Sequence, residues 1–128
     1  MEFVFDSSKK GLETVMMDYQ VLAMKVLWET GEKGAISKTI WVRVNEILIK
    51  KEESISRASI INFLNKMADK GILTLTEEPG KGGYHRVYFP AFDEKSFKEL
   101  IAKHIIEKLL KEFTVETENV IFKIMEQT

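Results

Sequence analysis

Between Ser56 and Gly71 the chain places Arg57, Asn62, Asn65 and Lys66 among apolar residues at helical spacing. Asn and Arg side chains are planar and can grip a base edge at two points, while Lys neutralises a phosphate. Further on, Gly80-Lys81-Gly82-Gly83 is followed by Tyr84, His85 and Arg86. Glycines let a backbone approach an anion closely, and Lys81, His85 and Arg86 add donors. The chemistry implied is a grip on nucleic acid. The glycine run is no nucleotide-binding loop, because it lacks the required spacing and no helix follows it. Each feature alone has a plain alternative, a solvated helix face or an ordinary turn. Their order along the chain favours the shared reading.

Other chemistries find little support. His104 lies on an apolar helical seam, and one His without Cys is a poor metal site, so packing in a core or an interface is expected. The chain has two His and no Cys, and no nucleophile–base pair or acidic dyad stands out. Neither catalysis nor a cofactor is expected. Absence of Cys also rules out disulfides, zinc ribbons and thiol redox switching. Trp28 and Trp41 are bulky fillers for a small core.

The elements that must carry these residues can be read from periodicity. Residues 1–17 form an arm, with a helical turn or two over Leu12–Met17. Asp18 opens a first helix through Tyr19, Leu22, Ala23, Val26 and Leu27, ending near Gly31 and Gly34. After a short extended Ala35-Ile36, Ser37 caps a second helix with Ile40, Trp41, Val44, Ile47 and Leu48 inward. Ser56 caps a third, with Ile60, Phe63, Leu64 and Met67 inward and Gly71 closing it. Residues 72–76 and 84–89 alternate like strands around a turn cluster over 77–83, and Pro90 ends the second. Three helices and a β-hairpin in this order predict a winged helix-turn-helix over residues 18–92, an α+β fold that is mainly α. The third helix is then the recognition helix, with Asn62, Asn65 and Lys66 sampling base edges, Lys38, Arg43 and Arg57 anchoring phosphates, and Ser37 also at the DNA.

From Asp93 to the C-terminus a long amphipathic segment, 93–128, restarts near Thr114. Its seam holds Phe97, Leu100, Ile101, His104, Ile105, Leu109 and Phe113, then Ile121 and Ile124. Packing on the same domain and pairing with a second chain are both open to such a stripe. Beyond a complete three-helix core, little surface remains to cover, which favours a homodimer. The apolar runs are short and charge-interrupted, and the N-terminus is a poor signal peptide, so a soluble cytoplasmic protein without a membrane partner is expected.

The formal net charge of the 128 residues is -1, which at first argues against a DNA ligand. Its distribution reverses that. Residues 37–71 hold seven Lys and Arg against four Asp and Glu, a surplus of +3, while the arm and the last segment are acidic.

Four stretches resemble the penicillinase-repressor family of winged-helix regulators: DYQVLAMKVLW at 18–28, SRASIINFLNKMADKG at 56–71, GYHRVYFP at 83–90 and DEKSF at 93–97. The resemblance implies a homodimeric repressor of an inverted-repeat operator in double-stranded DNA, dimerising through its C-terminal helices. It places Ser56, Ser59, Asn62 and Lys66 at DNA. It carries over no inducing signal: no counterpart of a cleavage segment is apparent over 101–110, and the C-terminal cysteines of metal-sensing members are absent. Two other readings stay open, a winged helix that binds protein and a regulator gated by a small molecule in a pocket between the dimer helices and the DNA-binding domain.

Overall fold

The structure, a computed structural model, describes residues 2–128. Its helices are α1 (Asp18–Thr30), α2 (Ser37–Leu48), α3 (Arg57–Asp69), α4 (Glu94–Glu112) and α5 (Thr114–Glu126). The strands are β1 (Ala35–Ile36), β2 (Leu73–Gly80) and β3 (Gly83–Pro90), in the antiparallel order β1-β3-β2. The chain divides into two compact units, one reaching to Glu94 and the other running from Lys95 to Thr128. Three helices and a three-stranded sheet in this order make the first unit a winged helix.

Local chemistry explains the helix ends. At α1, Asp18 Oδ1 accepts from the Tyr19 N–H (2.7 Å) and Gln20 Oε1 from the Met17 N–H (2.9 Å), so donors of the first turn are satisfied. Ser37 does not cap α2. It is the first helical residue, and the boundary residue Ile36 makes no side-chain cap. The reason is the short strand β1, where Ile36 pairs with Val87 and so holds the chain extended up to the helix start.

The core of this unit comes from one stripe per helix. Ala23, Met24 and Leu27 of α1, Ile40, Val44 and Leu48 of α2, and Ile60, Phe63, Leu64 and Met67 of α3 are buried with Leu73, Val87 and Tyr88. Full burial of an aliphatic or aromatic side chain contributes about 1.5–3 kcal/mol, so these stripes fix how the helices are presented. Ile47, expected in the stripe of α2, is exposed instead. Two steps of four, from Ile40 to Val44 and from Val44 to Leu48, already make the buried stripe, leaving Ile47 on its flank.

The hairpin is longer than its residues suggest. Glu77–Gly80, expected in a turn cluster, continue β2, with Glu77 opposite Arg86, Glu78 opposite His85 and Pro79 opposite Tyr84. Only Lys81-Gly82 turns, between the closing pair Gly80 and Gly83, with φ 85° at Gly82. Pro79 is tolerated because β2 is an edge strand, with only β3 beside it.

In the second unit, Phe113 (φ -132°, ψ 64°) separates α4 from α5. Thr114 Oγ1 donates to the Leu110 carbonyl (2.6 Å) and Thr117 Oγ1 to that of Leu109 (3.0 Å). These hydroxyls satisfy carbonyls that end α4, which is why the chain restarts here. Ion pairs at i,i+4, Lys103–Glu107 and Lys108–Glu112, line its polar side. Among the described residues, no helix is long and apolar enough to cross a membrane, and no group of three or more His, Asp or Glu could hold a metal ion.

Candidate nucleic-acid interface

Helix α3 is held at both ends by its own sequence. Ser56 Oγ accepts from the Ser59 N–H (3.1 Å) and donates to Ser59 Oγ (2.8 Å), so both hydroxyls belong to the N-cap. At the other end the Gly71 N–H donates to Ala68 O and the Ile72 N–H to Met67 O, both at 3.0 Å, with Gly71 at φ 78°. That pair of bonds is a complete Schellman closure. With 3.6 residues per turn, Ala58, Asn62, Asn65 and Asp69 form the row opposite the buried stripe, and Lys66 stands on its flank. Arg57, Asn62 and Lys66 are exposed.

The turn leading into α3 is clamped by two residues of α2 whose role was not apparent from spacing. Asn45 Oδ1 accepts from the Ile55 N–H (2.9 Å), while Asn45 Nδ2 donates to the Ile55 carbonyl (3.1 Å). Trp41 Nε1 donates to the same carbonyl (2.9 Å). The Asn45 amide thus pairs with one backbone unit as a strand neighbour would, and it fixes where Ser56 begins the helix. Asn45→Ala strands the Ile55 N–H and is expected to destabilise the fold by about 1–3 kcal/mol. A denaturation midpoint unchanged from wild type would show the clamp to be dispensable.

The proposed backbone anchors are not equivalent. Lys38 is exposed, while Arg43 is ion-paired with Glu29 of α1 and is half-buried. Ser37 is half-buried at the start of α2. On the hairpin, Lys81, Tyr84, His85 and Arg86 are all exposed, and Tyr84 at 77% is among the most exposed large side chains. The His85 ring folds over Gly80: a Cβ there would lie 1.9 Å from Nδ1, so the position admits a side chain only if the ring moves.

The row on α3 and the hairpin meet at Asn65. Its Oδ1 accepts from Arg86 Nη1 (3.0 Å) and from the Tyr88 hydroxyl (2.5 Å). Arg86 Nε also lies 3.9 Å from Glu77 Oε1 across the hairpin. The outward face of α3 and the exposed hairpin therefore form one continuous surface.

In the second unit Phe97 and Ile101 are buried, whereas Leu100, His104, Ile105 and Ile121 are half-buried. Leu109, Phe113 and Ile124 are exposed. Helix α5 has no buried residue and also exposes Val115, Val120, Phe122 and Met125.

No curated protein matches the chain. Among solved structures, it is similar to a Thermoplasma acidophilum protein described as a transcriptional regulator, at 14% identity and TM-score 0.45, covering 86% of this chain and 93% of that one. It is also similar to a PadR-like transcription factor from Bacteroides fragilis, at 18% identity and TM-score 0.45, covering 78% and 92%. The penicillinase repressor family model matches residues 18–128, from the first residue of α1 through the last helix. The chain belongs to the penicillinase repressor family of DNA-binding transcriptional regulators.

Proposed function

We propose that this regulator is a homodimeric repressor that reads an inverted-repeat operator in double-stranded DNA. Residues 18–92 do the reading, 93–128 join the two chains, and the protein works in the cytoplasm. The observation that carries this reading is the continuity of α3 with the hairpin: Asn62 and Lys66 stand free on the outward side of a helix whose neighbouring hairpin presents Lys81 and Tyr84. Such a helix fits the major groove, with the hairpin against the flanking backbone. The surplus of +3 over residues 37–71 supports the same face, since it supplies the counterion-releasing contacts that drive DNA binding. The exposed apolar residues of α5 support the dimer. Uncovered, a stripe of that kind is unfavourable in water, and a second copy of the same helix is self-complementary to it.

In vitro selection of DNA sites from a random pool tests the reading directly. An inverted repeat is expected, with half-sites about one helical turn apart. Failure to enrich any sequence at low salt would overturn it. Single substitutions then separate the roles of two neighbours on α3. Asn62→Ala should relax the preference at one base pair per half-site, at about 1–3 kcal/mol. Lys66→Ala should weaken all sequences alike and reduce the slope of log affinity against log salt by about 1 per half-site. Binding titrations at several salt concentrations, on the selected site and on scrambled DNA, distinguish the two patterns.

A further inference from the structure

Resting on the DNA-binding reading above, we propose that Asn65 is a positioning residue that fixes the hairpin to the recognition helix, with Arg86 and Tyr88 as its partners, and that it does not read a base.

An Asn that recognises adenine uses both halves of its amide, the oxygen accepting from the base amino group and the nitrogen donating to the ring. An amide oxygen has two lone pairs. In Asn65 both are engaged, by Arg86 Nη1 at 3.0 Å and by the Tyr88 hydroxyl at 2.5 Å. To accept from a base the oxygen would have to give up at least one of these hydrogen bonds, and one of the two comes from Tyr88, which is only 2% exposed. A phenol that has been removed from water keeps its partner, because an unpaired buried donor is unfavourable.

The strand positions explain what the bond holds. Tyr88 sits on the central strand, opposite Ala35 on one side and Leu75 on the other. Arg86 is two residues nearer the tip, hence on the same face of β3. Its guanidinium meets Asn65 of α3 and lies 3.9 Å from Glu77 of β2. The root of the hairpin is thereby fixed to the helix while Lys81 and Tyr84 near the tip remain exposed. In this arrangement Asn65 sets the separation between the bases read by α3 and the flanking DNA reached by the hairpin. Base reading on the outward row is left to Asn62, and Arg86 is held in the same latch.

The test repeats the site selection with wild type, Asn65→Ala, Asn65→Asp and Tyr88→Phe, followed by titrations on the selected site with and without its flanking base pairs. Asn65→Asp keeps an oxygen acceptor and removes the donor needed for base reading. Melting temperatures establish that each variant folds. Asn65→Ala and Tyr88→Phe are each expected to lose about three- to tenfold in affinity on the flanked site, the size of one or two hydrogen bonds, and nothing on the trimmed one. The double variant should lose no more than either single one, since both remove the same coupling. Asn65→Asp should bind all DNA more weakly through its added charge yet retain the wild-type base preferences and flank dependence. If Asn65→Ala and Asn65→Asp both change the preference at one base pair while Tyr88→Phe changes nothing, Asn65 is a base reader and the inference fails. Failure of the wild type to enrich any site would instead overturn the DNA-binding reading itself.

Discussion

A chain carrying both Val120→Asp and Ile124→Asp is expected to be a folded monomer that has lost about 10²- to 10⁴-fold in operator affinity. The two side chains are 53% and 57% exposed and lie one turn apart on α5, so replacing them removes nothing from the interior of a single chain. In a dimer, the same positions would bring four carboxylates into an apolar contact. Burying an unpaired charge costs several kcal/mol, more than such a contact can absorb. Affinity then falls because two tethered reading domains act at an effective concentration in the millimolar range, and separated ones do not. Analytical ultracentrifugation gives the oligomeric state, circular dichroism the helix content, and titration against the operator the affinity. A variant that remains dimeric would show that α5 is not the dimer contact. One that is monomeric yet binds the operator as wild type does would show that dimerisation is unnecessary for reading it.

How much of the fold is legible in the sequence follows the range of the interactions that build it. The start and end of α3 depend on Ser56 and Gly71, whose partners lie within four residues, and both ends are legible from residue type alone. The break between α4 and α5 is legible for the same reason, since Thr114 and Thr117 act on carbonyls a turn or two away. The hairpin length was not. Pro79, Gly80, Gly82 and Gly83 carry the composition of a loop, and only the strand order, with β2 at the edge, makes Pro79 compatible with pairing. Asn65 shows the limit at the site itself. Its type and position on the outward row suggest a base contact, but the residues that occupy its oxygen lie 21 and 23 positions away. The Asn45 clamp on Ile55 is hidden in the same way: an Asn inside a helix gives no local sign of bonding a backbone unit ten residues on. Charge was legible once divided along the chain, because ionic character follows sequence position even where geometry does not.

Gly34→Ala is expected to be the most damaging single-methyl change in the first unit, at about 3–5 kcal/mol. Gly34 leads into β1 at φ 66° and ψ -176°, a conformation that residues with a Cβ essentially avoid. That strain alone costs about 1–3 kcal/mol. A Cβ would also fall 2.6 and 2.7 Å from two ring carbons of Phe89 and 2.7 Å from the Tyr88 carbonyl oxygen. The carbonyl belongs to the central strand and cannot yield without disturbing the pairing of Ala35 with Tyr88. Overpacking of this kind adds about 1–3 kcal/mol. For a domain of this size the melting temperature should fall by roughly 12–40 °C, at 4–8 °C per kcal/mol. Gly71→Ala is the control, because Gly71 has φ 78° but open space where its Cβ would stand. It should lose only the left-handed backbone preference, about 1–2 kcal/mol. Thermal melts of both variants at one fixed protein concentration decide the matter, since the midpoint of any protein that self-associates depends on concentration. Equal losses at the two glycines would mean that Phe89 and the Tyr88 carbonyl move aside freely, and that close packing of the Gly34 backbone on β3 is not what holds β1 in the sheet.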